Sequence, residues 1–274
     1  SRQQSLNERL LVTQVLANKI DEELSRTLSS LTEIAKISDV RQGNWMPARN
    51  ALQNMALFSG PNMDSVFILD VKGKTLWNFP TANVLSSASL VNYPSIQKTF
   101  VAQTPQISNL IFQAVGNQPR VFLTAPVISP QGEVIGIVGG AINPTSGSLA
   151  NMVTPLRLGQ SGYAELVDEN GIVLASARPE RLFLKDDHAD RFQNLIQKGE
   201  SRVATCHRCH EGEEPQRLPD VLAFTPLTSA PWGIAVRQLE EEAFKATTTM
   251  RNNMLLFGGP LVLVAVYISW IATR

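Results

Sequence analysis

Cysteine is nearly absent from this 274-residue chain, which has two, and histidine is almost as rare, at three. Two cysteines cannot build a disulfide framework, so whatever they do is local. Net charge is lacking too. The 24 Lys and Arg balance 24 Asp and Glu, which excludes a polycation made to grip nucleic acid. There is no Gly-rich phosphate loop, no Gly-x-Ser-x-Gly elbow and no acid pair of arguable spacing, so the usual sequence signs of an enzyme are missing. Residues 254–272, MLLFGGPLVLVAVYISWIA, contain no charge at all. A helix there would be about 29 Å long, the thickness of a bilayer core. Gly258, Gly259 and Pro260 are tolerated in membrane spans, and Tyr267 and Trp270 suit the interface. The expectation is a C-terminal transmembrane helix with the lipid bilayer as partner. The chain opens on Ser1 rather than Met, which is expected of a cut or a processing site.

With 43% hydrophobic and 18% charged residues, the chain has the material for packed cores in about two modest domains. Residues 6–38 contain neither Pro nor Gly and place Leu6, Leu10, Ile20, Leu24, Leu28, Leu31 and Ile34 at three- and four-residue steps. That spacing predicts one long helix, roughly 50 Å, able to brace more than one domain. A second helix is expected over 48–58. The period then changes to that of strands, over 65–70, 75–79, 106–113, 120–128 and 133–143, separated by turn residues such as Lys72-Gly73 and Ser129-Pro130-Gln131-Gly132. A short helix over 94–103 falls among them. The hairpin-length turns predict an antiparallel sheet with a helix on it.

The pattern recurs. Ile68-Leu69-Asp70-x-x-Gly73-x-x-Leu76 returns as Leu166-Val167-Asp168-x-x-Gly171-x-x-Leu174, 98 residues on at every matched position; Pro126 and Pro226 lie 100 apart and Gly136 and Gly233 lie 97 apart. This predicts an α+β chain: a long N-terminal helix (1–42), two sheet modules (43–150 and 151–245), and a juxtamembrane and transmembrane segment (246–274). In their order and in the stretches Ser65-Val-Phe-Ile-Leu-Asp70, Gly162-Tyr-Ala-Glu-Leu-Val-Asp168, Leu222-Ala-Phe-Thr-Pro-Leu227 and Pro231-Trp232-Gly233, these parts resemble the double Cache sensor domains of bacterial membrane receptors, whose modules are PAS-like. The resemblance implies a receptor of the bacterial cytoplasmic membrane with residues 1–245 outside the cell, acting as a homodimer. Reception is then the chain's role rather than catalysis, with a kinase, cyclase or chemoreceptor output expected beyond Arg274.

Two candidate sites follow. Cys206-His207-Arg208-Cys209-His210 is a CxxCH motif, whose spacing suits covalent attachment of c-type haem through both thiols with His210 as proximal iron ligand. His188, the only histidine outside the motif, is the candidate sixth ligand, and the stretch 178–219 reads as an insertion in the second module. The same Cys206, Cys209, His210 and His188 suit a tetrahedral zinc site, and an oxidised CxxC pair is a third reading. With haem, the chain is a redox or small-ligand sensor, or alternatively a membrane-anchored monohaem cytochrome that transfers electrons. In the first module, Trp77, Tyr93, Arg120 and Asn143 are candidates for a small-ligand pocket. Amino-acid-binding members clamp their ligand with an arginine, aromatics and an aspartate, and Asn143 stands where such an aspartate is common.

Overall fold

The computed structural model describes residues 2–58, 63–81, 90–115, 118–206, 219–245 and 269–270. Helix α1 (Arg2–Ala35) is 34 residues long. It buries Leu16, Ala17, Ile20, Leu24, Leu31, Ile34 and Ala35 along one stripe, each large aliphatic group contributing about 1.5–3 kcal/mol. It stops short of residue 38 because Ile37 turns extended (ψ 129°), and a single helical turn, α2 (Ser38–Arg41), follows. Then α3 (Met46–Phe58) returns along the first sheet.

The first sheet contains β1 (Ser65–Asp70), β2 (Thr75–Phe79), β3 (Gln106–Ile107), β4 (Ile111–Val115), β5 (Gln118–Ile128) and β6 (Val134–Ile142), with α4 (Pro94–Ala102) packed on it. Its order is β2-β1-β6-β5-β3, with β4 beside β5. Helix α5 (Gly147–Val153) leads to the second sheet, of β7 (Arg157–Leu158), β8 (Gly162–Asp168), β9 (Val173–Ser176), β10 (Arg202–Cys206), β11 (Asp220–Pro226) and β12 (Trp232–Leu239), with α6 (Ala189–Lys198) upon it. Here β10-β11-β12-β8 runs on to β9, and β7 also pairs with β8. Every pairing is antiparallel. The order β9-β8-β12-β11-β10 thus reproduces β2-β1-β6-β5-β3.

The two hairpins agree in detail. β1–β2 shifts register between Ile68 and Leu69, and β8–β9 between Leu166 and Val167. Asp70 Oδ1 accepts the Lys72 and Lys74 N–H groups at 2.8 and 2.9 Å, as Asp168 Oδ1 accepts those of Asn170 and Ile172, both at 2.9 Å. Gly73 and Gly171 close these turns at φ +70° and +76°, where an added Cβ would also strike Val91 and Ala189, so glycine is required twice over.

One sequence match slips. Pro126 pairs with Ile137 and Pro226 with Gly233, so those two prolines are equivalent; but Asp70 faces Gly136 whereas Asp168 faces Trp232. The counterpart of Gly136 is therefore Trp232, not Gly233. The indole is conserved by other means, since a Cβ on Gly136 would meet the Trp45 ring at 2.8 Å.

The core lies where α1 meets the inner faces of both sheets, with α3 on the first, and Trp232, Ile234, Val236, Val138, Leu123 and Ile68 belong to it. The outer faces carry separate clusters, Phe67, Leu69, Ile96 and Phe122 under α4, and Val167, Phe192, Leu222 and Phe224 under α6. Residues 189–206, expected within an insertion, are thus α6 and an edge strand of the sheet itself. The expected strand over 106–113 is broken into β3 and β4, because Ser108–Leu110 bends to bond the other module. Leu110 N–H donates to Asp168 Oδ2 at 3.0 Å, and Trp232 Nε1–H donates to Ser108 O at 3.0 Å. The transmembrane span expected over 254–272 lies outside the described residues apart from 269–270. Among the described residues no helix is long and apolar enough to cross a membrane.

Candidate functional site

Strand alternation decides which side chains meet. On β8 the odd positions Tyr163, Glu165 and Val167 face α6, opposite Arg237, Ala235 and Gly233 of β12. Glu165 and Arg237 therefore stand buried under the segment that leads into α6. That segment covers them with charge. Arg181 Nε donates to Glu165 Oε1 at 2.6 Å and its Nη2 to Asp186, while Arg237 Nη2 reaches both Asp186 oxygens at 2.7 Å. Ser176 Oγ donates to Glu165, and Arg178 lies 3.9 Å over the Tyr163 ring. The counterpart face in the first module is aromatic, with Phe122 edge-on to Phe67 and Tyr93 at 5.5 and 5.8 Å.

His188 and Cys206 close this cluster. His188 caps α6, its N–H donating to Asp186 Oδ1 at 2.8 Å and its Nδ1 lying 3.4 Å from the same oxygen. Its ring interacts electrostatically with Cys206 as well. Those two partners, the Asp186 carboxylate first, push its pKa up to about 9 against burial and Arg237. In return His188 lowers the Cys206 thiol against its own burial. Burial of Asp186 favours its neutral form, but His188, Arg237 and Arg181 together hold it well below the usual carboxylate range. Arg191 Nη1 adds a contact to Cys206 Sγ at 3.9 Å.

Linkage gives this pair a pH signature. A raised histidine contributes stability that is full below its ordinary value near 6.5 and lost as pH rises through about 9; a lowered thiol contributes the opposite, gained as pH rises. Between those limits the two slopes oppose each other. In protein free of haem and metal, Cys206→Ser removes one of them, so the stability difference between wild type and variant should widen from pH 6.5 to 9. Urea midpoints taken across that range measure it, and a constant difference would mean that no thiolate–imidazolium pair exists.

The candidate metal ligands are tested by these contacts. Cys206 ends β10 where the chain passes to residues 207–218, so Cys209 and His210 lie outside the described residues. His188 Nδ1 faces Asp186 and Arg237, the arrangement in which a carboxylate orients an imidazole that ligates a metal through its other nitrogen. Among the described residues no group of three His, Cys, Asp or Glu side chains is placed to hold a metal.

The four first-module candidates do not share a pocket. Trp77 stacks on Phe79 and packs against the α1 side of the sheet, opposite Ile68. Tyr93 lies on the other face, under α4. Arg120 pairs with Asp64 at 2.7 Å, and Asn143 Oδ1 accepts from Thr145 N–H and Oγ1 at 3.0 and 2.8 Å, holding a turn. Sequence reasoning missed Glu165, Arg181, Asp186 and Arg237. The signal was available: Glu165 and Arg237 are charges within two strands otherwise mostly apolar and buried.

At the lower end of α1 the two ends of the described domain are tied together. Arg2 pairs with Glu240 and lies 4.6 Å over Phe244, and Arg9 donates to Gln238 Oε1 at 2.6 Å and to Ala243 O at 3.1 Å. Residues 240–245 are helical. Hydrogen bonds from the Ser161 hydroxyl and from the Gln160 and Ser161 N–H groups hold the Glu242 carboxyl at about 2.

Comparison with known proteins places this geometry. The sequence model described as Cache domain matches residues 1–247. The ligand-binding domain of the Pseudomonas fluorescens chemoreceptor CtaA, in complex with L-isoleucine, superposes with a TM-score of 0.67 at 17% identity, covering 89% of this chain and 96% of that one. The ligand-binding domain of the Pseudomonas aeruginosa PAO1 amino acid chemoreceptor PctB, with L-Arg, gives 0.63 at 14%, covering 85% and 94%. The extracellular domain of the putative histidine kinase mmHK1S-Z3 gives 0.68 at 15%, covering 89% and 98%. No curated protein matches the sequence.

Proposed function

This chain belongs to the Cache domain family, and from that premise we propose that it is the extracytoplasmic sensory region of a membrane signal receptor that binds a small molecule and passes the signal to an output beyond Arg274. The observation that carries the reading is the pairing of α1 with residues 240–245. A rod that touches both sheets ends beside the helix that leaves the second, through Arg2–Glu240 and Arg9–Ala243. Any shift of a sheet against α1 is thereby delivered to the exiting helix. The uncharged stretch 254–272 carries it across the bilayer, residues 1–245 lie outside the cell, and the receptor works as a homodimer. Fusing residues 1–274 to the signalling domain of a chemoreceptor and measuring responses to small metabolites tests this. A response to at least one compound, lost in Arg9→Ala, is expected; a well-expressed, membrane-inserted fusion that answers to none would overturn it.

The CxxCH loop adds a second element to the proposal. Cys206, Cys209 and His210 would hold c-type haem, which would supply redox or diatomic-ligand chemistry, with His188 the candidate sixth ligand. Zinc is the alternative, with Cys206, Cys209, His210 and His188 as four ligands of the types a tetrahedral site takes. Protein matured in a host with cytochrome-c assembly should retain a Soret-absorbing band on denaturing gels, abolished by Cys206→Ala with Cys209→Ala. Stoichiometric zinc without that band would select the alternative, and the absence of both would end either assignment.

A further inference from the structure

We infer that the hydrogen bond from Leu110 to Asp168 is a proton-operated latch between the two modules, opened when Asp168 takes up a proton. The inference rests on reading the chain as the outer region of a receptor, and it adds acidity outside the cell to the signals the chain answers. The broken strand of the first sheet is held to the second module by two bonds of different character. Trp232 Nε1–H donates to Ser108 O, a pair with no charge to lose, whereas Leu110 N–H donates to Asp168 Oδ2, an acceptor that titrates. The indole is also fully buried, so it keeps the modules in register when the carboxylate lets go.

The Asp168 carboxylate has the geometry of a switch. It is fully buried, and its Oδ1 already accepts the Asn170 and Ile172 N–H groups, so an added proton goes to Oδ2. Oδ2 then becomes a hydroxyl with its own hydrogen to place beside the Leu110 N–H. The charge that made their bond roughly twice as strong as a neutral one is gone. A cleft of about 570 Å³, lined by Asn109, Leu110 and Glu169, brings water to the joint. Asp70, in the matching turn of the first module, is partly exposed and makes the same two Oδ1 bonds; among the described residues it bonds nothing in the second module.

No cation offsets the buried charge. Among the described residues Asp168 joins no ion pair, and the broken strand (106–113) and residues 232–236 of β12 carry no ionisable side chain. Lys185 is bridged to Ile172 and the Asp186 N–H bonds Gly171 O, but the Asp186 carboxylate is turned to Arg181 and Arg237. Lys98 of α4 lines the cleft, and Asp21 of α1 holds the Thr228 and Ser229 N–H groups that border it. Burial raises the Asp168 carboxyl above its ordinary 3.8 despite the three amides that lower it, and Glu169 raises it further. An acid raised in this way takes its proton in the folded state first, so its contribution to stability grows as pH falls through the folded value towards 3.8. Proton uptake therefore opens the latch without working against the fold, and the freed sheets can shift along α1 towards residues 240–245.

Hydrogen exchange on the full chain in detergent micelles tests this, with each rate divided by the intrinsic rate at that pH. From neutral pH towards 3.8 the Leu110 amide should lose about tenfold in protection, while the Phe122 amide, bonded to Ser108 Oγ, and the β12 amides keep theirs. Asp168→Asn leaves an acceptor for Asn170 and Ile172 but sets an NH2 group against Leu110. Its Leu110 protection should be low already at neutral pH and should not change with pH, whereas Asp70→Asn should follow the wild type. Leu110 protection that stays constant in the wild type, or that still falls with pH in Asp168→Asn, would overturn the latch. So would a loss shared by all the strands, which is acid unfolding. The wild-type titration decides even where Asp168→Asn fails to fold. A chemoreceptor fusion that answers to nothing overturns the receptor reading, and exchange alone decides the latch.

Discussion

Arg237→Ala is expected to destabilise the protein by about 3–5 kcal/mol, because it strips the central cation from a buried cluster and leaves two carboxylates facing each other without it. Arg237 is 7% exposed, and both Glu165 and Asp186 side chains are fully buried beside it. Arg181 still reaches both acids, so the loss should be confined to the second module. Urea denaturation measures the total, and hydrogen exchange locates it in β8, β12 and the segment before α6. A loss below about 1 kcal/mol would place the pair with weak exposed ion pairs and contradict the cluster as described. Arg237→Met with Glu165→Gln and Asp186→Asn should recover part of the loss, since charges removed together leave no uncompensated partner.

Trp232→Ala is the second large effect, at about 3–5 kcal/mol from the lost volume of a fully buried indole. Trp232→Phe separates the ring from its hydrogen bond. It should cost less, but it leaves Ser108 O unpaired in the other module, so the Leu110 amide should lose exchange protection although it lies more than a hundred residues away. Unchanged protection at Leu110 would show that the two links between the modules act independently.

The sequence carried the architecture further than the chemistry. The apolar runs of β1 and β8, the Asp-x-x-Gly turns and the Pro-Trp-Gly start of β12 are local patterns whose physical cause, a strand buried on both faces or a positive φ, sits within a few residues, and they could be read directly. The one-residue slip between Gly136 and Trp232 could not be, because it depends on Trp45 filling the place above Gly136 from a distant loop. Likewise the break in the strand at Ser108–Leu110 is caused by Asp168 and Trp232 in the other module. For the candidate site, pairing His188 with Cys206 was legible from the scarcity of both residue types. Its contacts with Asp186 and Arg237 were not, since both are brought to the ring only by the fold. The grouping of Trp77 with Tyr93 failed on strand parity: composition shows two aromatics near one strand, and only the register against Ile68 sends Trp77 to the opposite face from Tyr93.

A thermal-shift screen of the full chain in detergent micelles against a library of small water-soluble metabolites tests the sensor account most directly. A ligand present at one hundred times its dissociation constant adds about 2.7 kcal/mol to the folded state, so at least one compound should raise the midpoint by several degrees, and Trp232→Phe should keep that binding while weakening its effect on exchange at residues 240–245. A library in which no compound moves the midpoint, tested on protein whose far-ultraviolet spectrum and urea transition show it to be folded, would contradict the account.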